Sequence, residues 1–334
     1  MLWLKHYGSN HKTITLDTGD LATFLKDAVV ARDYPGMADI DSSMLLFCKE
    51  IKKDVKVVLS GECADEIFGG YPWFFREDAL KSNTFPWSIA IEERQKLLSP
   101  DLFYNVNLKE YIDFRYNESL KEIDYLEPEI TRKLENIIDN KTFSSLESTK
   151  INPENPNTIT INDYRKNKFN DKKDIFHLNY YWFMQNLLDR ADRMSMYNGL
   201  EVRVPFCDVR LVQYLWNIPW EIKSMNGREK GLLRHIASEI LPSEIVDRKK
   251  SPYPKTHNPT YLKKVKELLT IILEDTNSPI NNILNRDYLK EILKTDGKAF
   301  TRPWFGQLMT GPQLMAYLIQ FNDWLEIYKP RIEI

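Results

Sequence analysis

A run of mostly apolar residues, Val55-Lys56-Val57-Val58-Leu59, passes directly into Ser60-Gly61-Glu62-Cys63-Ala64-Asp65-Glu66-Ile67-Phe68-Gly69-Gly70-Tyr71. The first part reads as a short buried strand, because β-branched side chains suit a covered, pleated surface. Residues just past such a strand lie where open α/β sheets bind ligands. Three carboxylates and three glycines at that edge suit a nucleotide and its metal better than they suit core packing. Glycine at 61 lets backbone approach a flat ligand, and Gly69-Gly70 allow a tight turn with positive φ. Glu62, Asp65 and Glu66 supply hard oxygens of the kind magnesium takes. The alternative for the acids alone is that they cap a helix starting near Ala64, since carboxylates favour helix N-termini.

The flanking sequence sets the fold class. Lys12-Thr13-Ile14-Thr15-Leu16 alternates like a strand, and Asp20 is the expected cap of a helix over 21–32. Asp33-Tyr34-Pro35-Gly36 signals a turn. A second helix is expected over 42–53, feeding the strand at Val55. This strand–helix–helix–strand order predicts part of a mostly parallel sheet. Past Tyr71 no further strand is expected. Residues 76–140 have helical spacing, and 141–175 are polar and read as a loop. Helices are expected over 175–197, 209–216, 229–241, 258–274 and 312–328. The chain therefore divides into an α/β portion over 1–75 and a mainly helical portion over 76–334, with the polar loop near 141–175.

Composition excludes several function classes. In 334 residues, 43% are hydrophobic, 28% are charged and the net charge is −2, so bulk electrostatics favour neither nucleic acid nor an acidic membrane as partner. A mean hydropathy of −0.46 and the lack of a long apolar run argue against a membrane span. Cys48, Cys63 and Cys207 are odd in number and widely spaced, which fits no disulfide framework and no zinc pairing and points to a reducing cytoplasm. His6, His11, His177, His235 and His257 do not stand at metal-ligand spacing.

Two further strings carry charge in places that invite chemistry. Asp189-Arg190-Ala191-Asp192-Arg193-Met194-Ser195-Met196 runs on into Gly199-Leu200-Glu201-Val202-Arg203-Val204-Pro205-Phe206-Cys207-Asp208. Asp189 and Arg193 stand one helical turn apart. Arg190 and Asp192 either face a substrate or belong to a structural ion network. Asp247-Arg248-Lys249-Lys250-Ser251-Pro252-Tyr253-Pro254-Lys255 places three cations at the head of a loop stiffened by proline. Such a run is either solvated or placed to neutralise a leaving pyrophosphate.

Together, the strings at 60–71, 192–208 and 248–250 resemble, in order, three signatures of the synthetase half of the asparagine synthetase family. These are Ser-Gly-Glu-Gly-Ala-Asp-Glu-Leu-Phe-Gly-Gly-Tyr, Asp-Arg-Met-Ser-Met with Leu-Glu-Ala-Arg-Val-Pro-Phe-Leu-Asp, and Arg-x-Lys. Asn226-Gly227 through Leu232-Leu233-Arg234 also resembles the family stretch before the lysine loop. The likeness runs from about residue 11 to 258, and weakly to 324. It implies a partial parallel sheet of the adenine nucleotide alpha hydrolase-like, ATP-pyrophosphatase type, followed by a mainly helical region. It further implies an ATP-dependent ligase with ATP and Mg2+. The side-chain carboxylate of aspartate is adenylated, pyrophosphate leaves, and ammonia, from glutamine in the full-length family, displaces AMP. On this chain the resemblance makes Ser60 and Gly61 the adenosine-binding residues and Glu62 the base toward ammonia. Asp65 becomes the magnesium ligand on pyrophosphate, Lys250 the neutralising cation, and Arg190 and Asp192 substrate contacts.

The sequence also departs from the family pattern. Cys63 stands where the family has glycine, which is acceptable if its φ is negative. Residue 2 is leucine, not the nucleophilic cysteine of the glutaminase half. No Ser-Gly-Gly-x-Asp-Ser loop occurs, and Leu16-Asp17-Thr18-Gly19-Asp20 is no substitute. The resemblance thus implies an N-terminally truncated synthetase domain with an exposed sheet edge, so a homo-oligomer or a missing N-terminal domain is the expected partner. Two alternatives stay open: a non-catalytic remnant or partner-dependent module, and an amide-forming ligase acting on another carboxylic acid.

Overall fold

The computed structural model describes residues 8, 10–82, 84–88, 90–121, 171–250, 258–300, 302–306 and 309–332. Among these the fold is α/β, mostly helical, with a small parallel sheet. Most of the polar loop expected over 141–175, and the proline segment after Lys250, lie outside the described residues. Residues 171–175 do not continue that loop; they open a helix.

The N-terminal helices are α1 (Thr18–Thr23), α2 (Leu25–Arg32) and α3 (Asp39–Lys52). The single helix expected over 21–32 is two, because the cap is Asp17 and not Asp20. The Asp17 carboxylate accepts from the Gly19 N–H at 2.6 Å, starting a short helix that breaks at Phe24. Lys12-Thr13-Ile14-Thr15-Leu16 forms no strand. Asp33 turns the chain at φ 62°, and the Gln320 carboxamide receives the Gly36 and Ala38 N–H groups at 3.3 and 3.2 Å. Helix α3 has acids at its start and lysines at its end, matching its dipole.

Strand β1 (Val57–Leu59) then leads into α4 (Ala64–Phe68). Its partner is β2 (Glu201–Arg203), parallel, in the register Val57 to Glu201 through Leu59 to Arg203. The expectation that strands end at Tyr71 is therefore corrected by β2, whose three residues are too few to show a period. The expected burial of β1 is also corrected. Val57 and Leu59, which share one face of the strand, are 41% and 74% exposed, so that face is not covered.

Between the strands run α5 (Asp171–Leu178), a π-helical turn at Asn179–Met184, and α6 (Gln185–Tyr197). Helix α6 packs on α2 and α3. Then come α7 (Val209–Trp216), α8 (Trp220–Lys223), α9 (Gly231–Ala237), α10 (Pro259–Glu274) and α11 (Gly311–Tyr328). Helix α10 buries Tyr261, Val265, Leu269 and Leu273, one residue per turn, so its apolar stripe meets α11. The main core draws on residues from Leu21 to Ile319, crossing the sequence division at 75/76. No helix of the described residues is long and apolar enough to cross a membrane.

Candidate functional site

The site is built where β1 ends. The Ser60 N–H donates to the Arg203 carbonyl at 2.9 Å, extending the strand pairing by one residue. Gly61 follows with its α-carbon open: a methyl group there would meet nothing within 4 Å. Packing therefore does not demand glycine at 61, and an unobstructed backbone remains at the sheet edge. The Glu62 N–H donates to Ser60 Oγ at 3.3 Å.

Cys63 adopts φ 73°, ψ −9°, in the left-handed region, and α4 begins immediately after it. The expectation of a negative φ is overturned. The chain must reverse between β1 and α4, and residue 63 takes the reversal although its Cβ resists that conformation. Its thiol is buried against Cys207, and burial first, then the Cys207 charge, raises its pKa. Burial also raises the Cys207 thiol. Neither thiol is prepared as a nucleophile.

The three acids of the string do not converge on one point. Glu62 turns to α6, where its Oε1 lies 3.1 Å from Arg190 Nη2, and Glu62 Oε2 is buried with no hydrogen-bond partner among the described residues. Arg190 is buried and also reaches Met37 Sδ at 3.4 Å. Asp65 turns the other way. Its Oδ1 lies 3.0 Å from Lys230 Nζ and 3.3 Å from Lys250 Nζ. Glu66 is buried and accepts a hydrogen bond from the Tyr71 hydroxyl. Burial pushes the Glu66 carboxyl up to about 7, although the Tyr71 hydrogen bond works against that rise.

Lys250 is the best-fixed cation of the group. Beyond Asp65, it donates to the Gly70 carbonyl at 3.1 Å and stands 4.1 Å above the Tyr71 ring. Burial lowers its pKa, and Asp65 partly restores it. Tyr71 is itself clamped by stacking on Trp73 at 4.3 Å and by the edge of Phe183 at 5.1 Å.

The paired glycines serve different ends. Gly69 ends α4 at φ 70°, and a Cβ there would lie 2.5 Å from Trp220. Gly70 does not have positive φ, so the sequence expectation holds for Gly69 alone. At Gly70 a Cβ would sit 1.8 Å from Asp65 Oδ1, so only glycine leaves room for that carboxylate.

The structure thus brings Ser60, Gly61, Glu62, Asp65, Arg190 and Lys250 to the end of β1 and the start of α4. Asp192 is exposed on α6 and makes no ion pair with the described residues. Lys230 was not singled out from sequence. It lies within the 226–234 stretch, but nothing in its own neighbours marks it, and its left-handed φ of 55° is invisible there. Arg32 was also missed; buried, it joins Asp41 at 3.1 Å and Asp189 at 3.3 Å, tying α2, α3 and α6 behind Glu62's partner.

Among the described residues no group of three His, Cys, Asp or Glu side chains could hold a metal ion. A protein-caged metal does not fit the site. A magnesium ion that takes one carboxylate from the protein and its other ligands from phosphate and water does fit.

A family model described as asparagine synthase matches residues 2–326. Asparagine synthetase [glutamine-hydrolyzing] 3 of Bacillus subtilis is 46% identical over 327 residues, 98% of this chain and 47% of that protein. Asparagine synthetase [glutamine-hydrolyzing] 1 of the same organism is 29% identical over 268 residues, 77% of this chain and 40% of that protein. The amidase chyE of Penicillium rubens is 25% identical over 301 residues, 80% of this chain and 42% of that protein. The chain spans about half the length of these relatives, or somewhat less.

Proposed function

The chain belongs to the asparagine synthase family, and we propose on that basis that it carries the aspartate-adenylating, amide-forming site of an ATP-dependent asparagine synthetase. The observation that supports this most is the Lys230–Asp65–Lys250 group at the end of β1, beside an unobstructed Gly61 backbone. Two ammonium groups fixed on one carboxylate form a cradle for phosphate oxygens, and phosphoryl chemistry depends on placed positive charge.

In this reading the aspartate side-chain carboxylate attacks the α-phosphorus of ATP. The bond to the β-phosphate oxygen breaks, and pyrophosphate leaves. Lys230 and Lys250 neutralise the charge that develops on it. Asp65 holds both lysines in place and offers one oxygen to Mg2+, which supplies charge neutralisation on the phosphates when bound. Ser60 and Gly61 meet the adenosine part. Ammonia then adds to the acyl carbon, Glu62 takes up the proton it sheds, and AMP departs. Arg190 acts as a positioning residue, since its Nη2 holds Glu62 and its Nη1 reaches Met37. Asp192, exposed on α6, is assigned as a substrate contact. The source of ammonia is glutamine in the names of the Bacillus relatives; this site needs only ammonia itself.

The same reading places the two-stranded parallel sheet in an adenine nucleotide alpha hydrolase-like fold. Residues 1–75 then supply its α/β portion, and 76–334 the mainly helical portion of the synthetase domain.

Exchange of labelled pyrophosphate into ATP tests the first half-reaction. The purified protein should exchange only with aspartate and Mg2+ present, and Lys250→Ala should abolish exchange. No aspartate-dependent exchange, or exchange indifferent to Lys250→Ala, refutes the assignment. Retained nucleotide binding without exchange would mark the chain as a partner-dependent module.

A further inference from the structure

Tyr71 closes the string at 60–71, and the proposed reaction gives it no part. Its ring is nonetheless fixed on several sides. It stacks on Trp73 at 4.3 Å with the planes 17° apart, and the edge of Phe183 meets it at 5.1 Å and 82°. Phe183 comes from the π-helical turn at Asn179–Met184 and also touches Trp73 at 5.2 Å and Trp87 at 5.1 Å. All four rings belong to the main core. The Tyr71 hydroxyl donates to buried Glu66, which fixes the rotation of the ring in its plane. Burial raises the phenol pKa, so the hydroxyl stays a donor.

What this platform carries is Lys250. Every hydrogen bond, ion pair and ring contact of Lys250 among the described residues comes from the one string. Asp65 Oδ1 lies at 3.3 Å, the Gly70 carbonyl at 3.1 Å and the centre of the Tyr71 ring at 4.1 Å. These three differ in kind. Asp65 is a divided partner: the same oxygen holds Lys230 at 3.0 Å, and the proposed reaction asks Asp65 for an oxygen toward Mg2+ as well. The Gly70 carbonyl is a single neutral acceptor. The ring presents a negative face, which attracts an ammonium and repels an incoming phosphate oxygen. It is therefore the one contact of Lys250 that no other group of the site draws upon.

We propose that Tyr71 is a positioning residue whose ring, held from behind by Trp73 and Phe183, keeps the Lys250 ammonium beside Asp65 while pyrophosphate forms and leaves. The inference rests on the function proposed above. Tyr71 acts through Lys250 alone, and no bond is made or broken at it. A lysine side chain has four rotatable carbons and loses its catalytic value when the charge wanders. The turn at Gly69-Gly70 thus does two things at once: it supplies the Gly70 carbonyl, and it sets the next residue's ring under the same ammonium. An aliphatic side chain at 71 would fill the space but offer no negative face.

A fluorination series tests this, because fluorine drains the ring face while nearly keeping its shape. Position 71 of the full protein is made phenylalanine, then mono-, di- and trifluorophenylalanine, each with Lys250 and with Lys250→Met. With Lys250 the melting temperature should fall stepwise along the series; with Lys250→Met it should stay level. In the same Lys250 series, kcat for aspartate-dependent exchange of pyrophosphate into ATP should fall at least about fivefold from the plain to the trifluorinated ring. KM for ATP should stay within about twofold, since the loss lies in charge placement during the transfer. Tyr71→Leu should fall at least as far as the trifluorinated ring. Should Tyr71→Phe fail to fold, fluorotyrosines, which keep the hydroxyl, carry the same series. A level melting series with Lys250, or equal declines in both backgrounds, would show that the ring does not hold Lys250 and overturn the proposal. A stepwise melting series with unchanged kcat would make the contact structural only, and overturn it too. A wild type without any exchange refutes instead the function proposed above; the two melting series still decide whether the ring fixes Lys250.

Discussion

Cys63 offers a test of backbone strain whose outcome depends on a sign. The residue sits at φ 73°, a conformation that costs a residue bearing a Cβ about 1–2 kcal/mol. Alanine at 63 keeps that Cβ and the strain; glycine removes both. At an ordinary negative φ, glycine would be the less stable of the two by about 0.4–1 kcal/mol, because it frees the unfolded chain. At residue 63 relief of strain exceeds that penalty, leaving Cys63→Gly more stable than Cys63→Ala by roughly 0.5–1 kcal/mol. Both variants lose the same buried sulfur and its contact with Cys207, so the comparison cancels packing. Urea midpoints followed by tryptophan fluorescence, at equal m-values, give the difference. An alanine variant as stable as the glycine variant, or more so, would refute the claim that the turn into α4 forces a left-handed residue at this position.

Three further outcomes follow from the same string. The Glu66 carboxyl is held protonated up to a pH of about 7 by burial, above its usual 4.5, so the fold binds a proton that the unfolded chain releases. Its contribution is therefore fully present at acid pH and is lost as pH climbs from about 4.5 to about 7, by up to about 3 kcal/mol. Thermal unfolding across that window should show the wild type losing stability relative to Glu66→Gln; parallel profiles would contradict it. At Gly70, alanine must displace the Asp65 carboxylate 1.8 Å away, so Gly70→Ala should cost about 1–3 kcal/mol and detach both lysines. Gly61→Ala, with nothing within 4 Å, should leave stability within about 0.5 kcal/mol. Equal effects at 61 and 70, measured by melting temperature, would show that the two glycines are retained for one reason.

The parts legible in sequence are those with a repeating pattern. Helix α10 declares itself by one buried residue per turn, and α7 and α11 match the helices expected at 209–216 and 312–328. The acidic, glycine-rich string after an apolar run marks the site, because no packing role explains all twelve residues at once. What escaped has no period. Strand β2 is three residues long, and its pairing with β1 is a tertiary event. Asp17 and Asp20 are equally good caps on paper, and only the bond to Gly19 chooses between them. Lys230 reaches Asp65 through a backbone twist that a lysine does not announce. The division of labour among the acids was also hidden: Glu62 answers to Arg190, Asp65 to two lysines and Glu66 to a tyrosine.

The long separation between partners at the site has a consequence in time. Glu62 pairs with a residue 128 positions later, and the Gly70 carbonyl with one 180 later. At ribosomal speeds of about 5–20 residues per second, the newly made string waits roughly 6–26 s for Arg190 and roughly 9–36 s for Lys250. Through that interval β1 has neither its parallel neighbour nor the counter-charges that fix α4. Val57 and Leu59 stay a loose apolar edge, of the kind that recruits other chains. Expression fragments that stop before Glu201 would make this interval permanent and should aggregate, whereas slowing synthesis should burden a holdase chaperone rather than the finished protein.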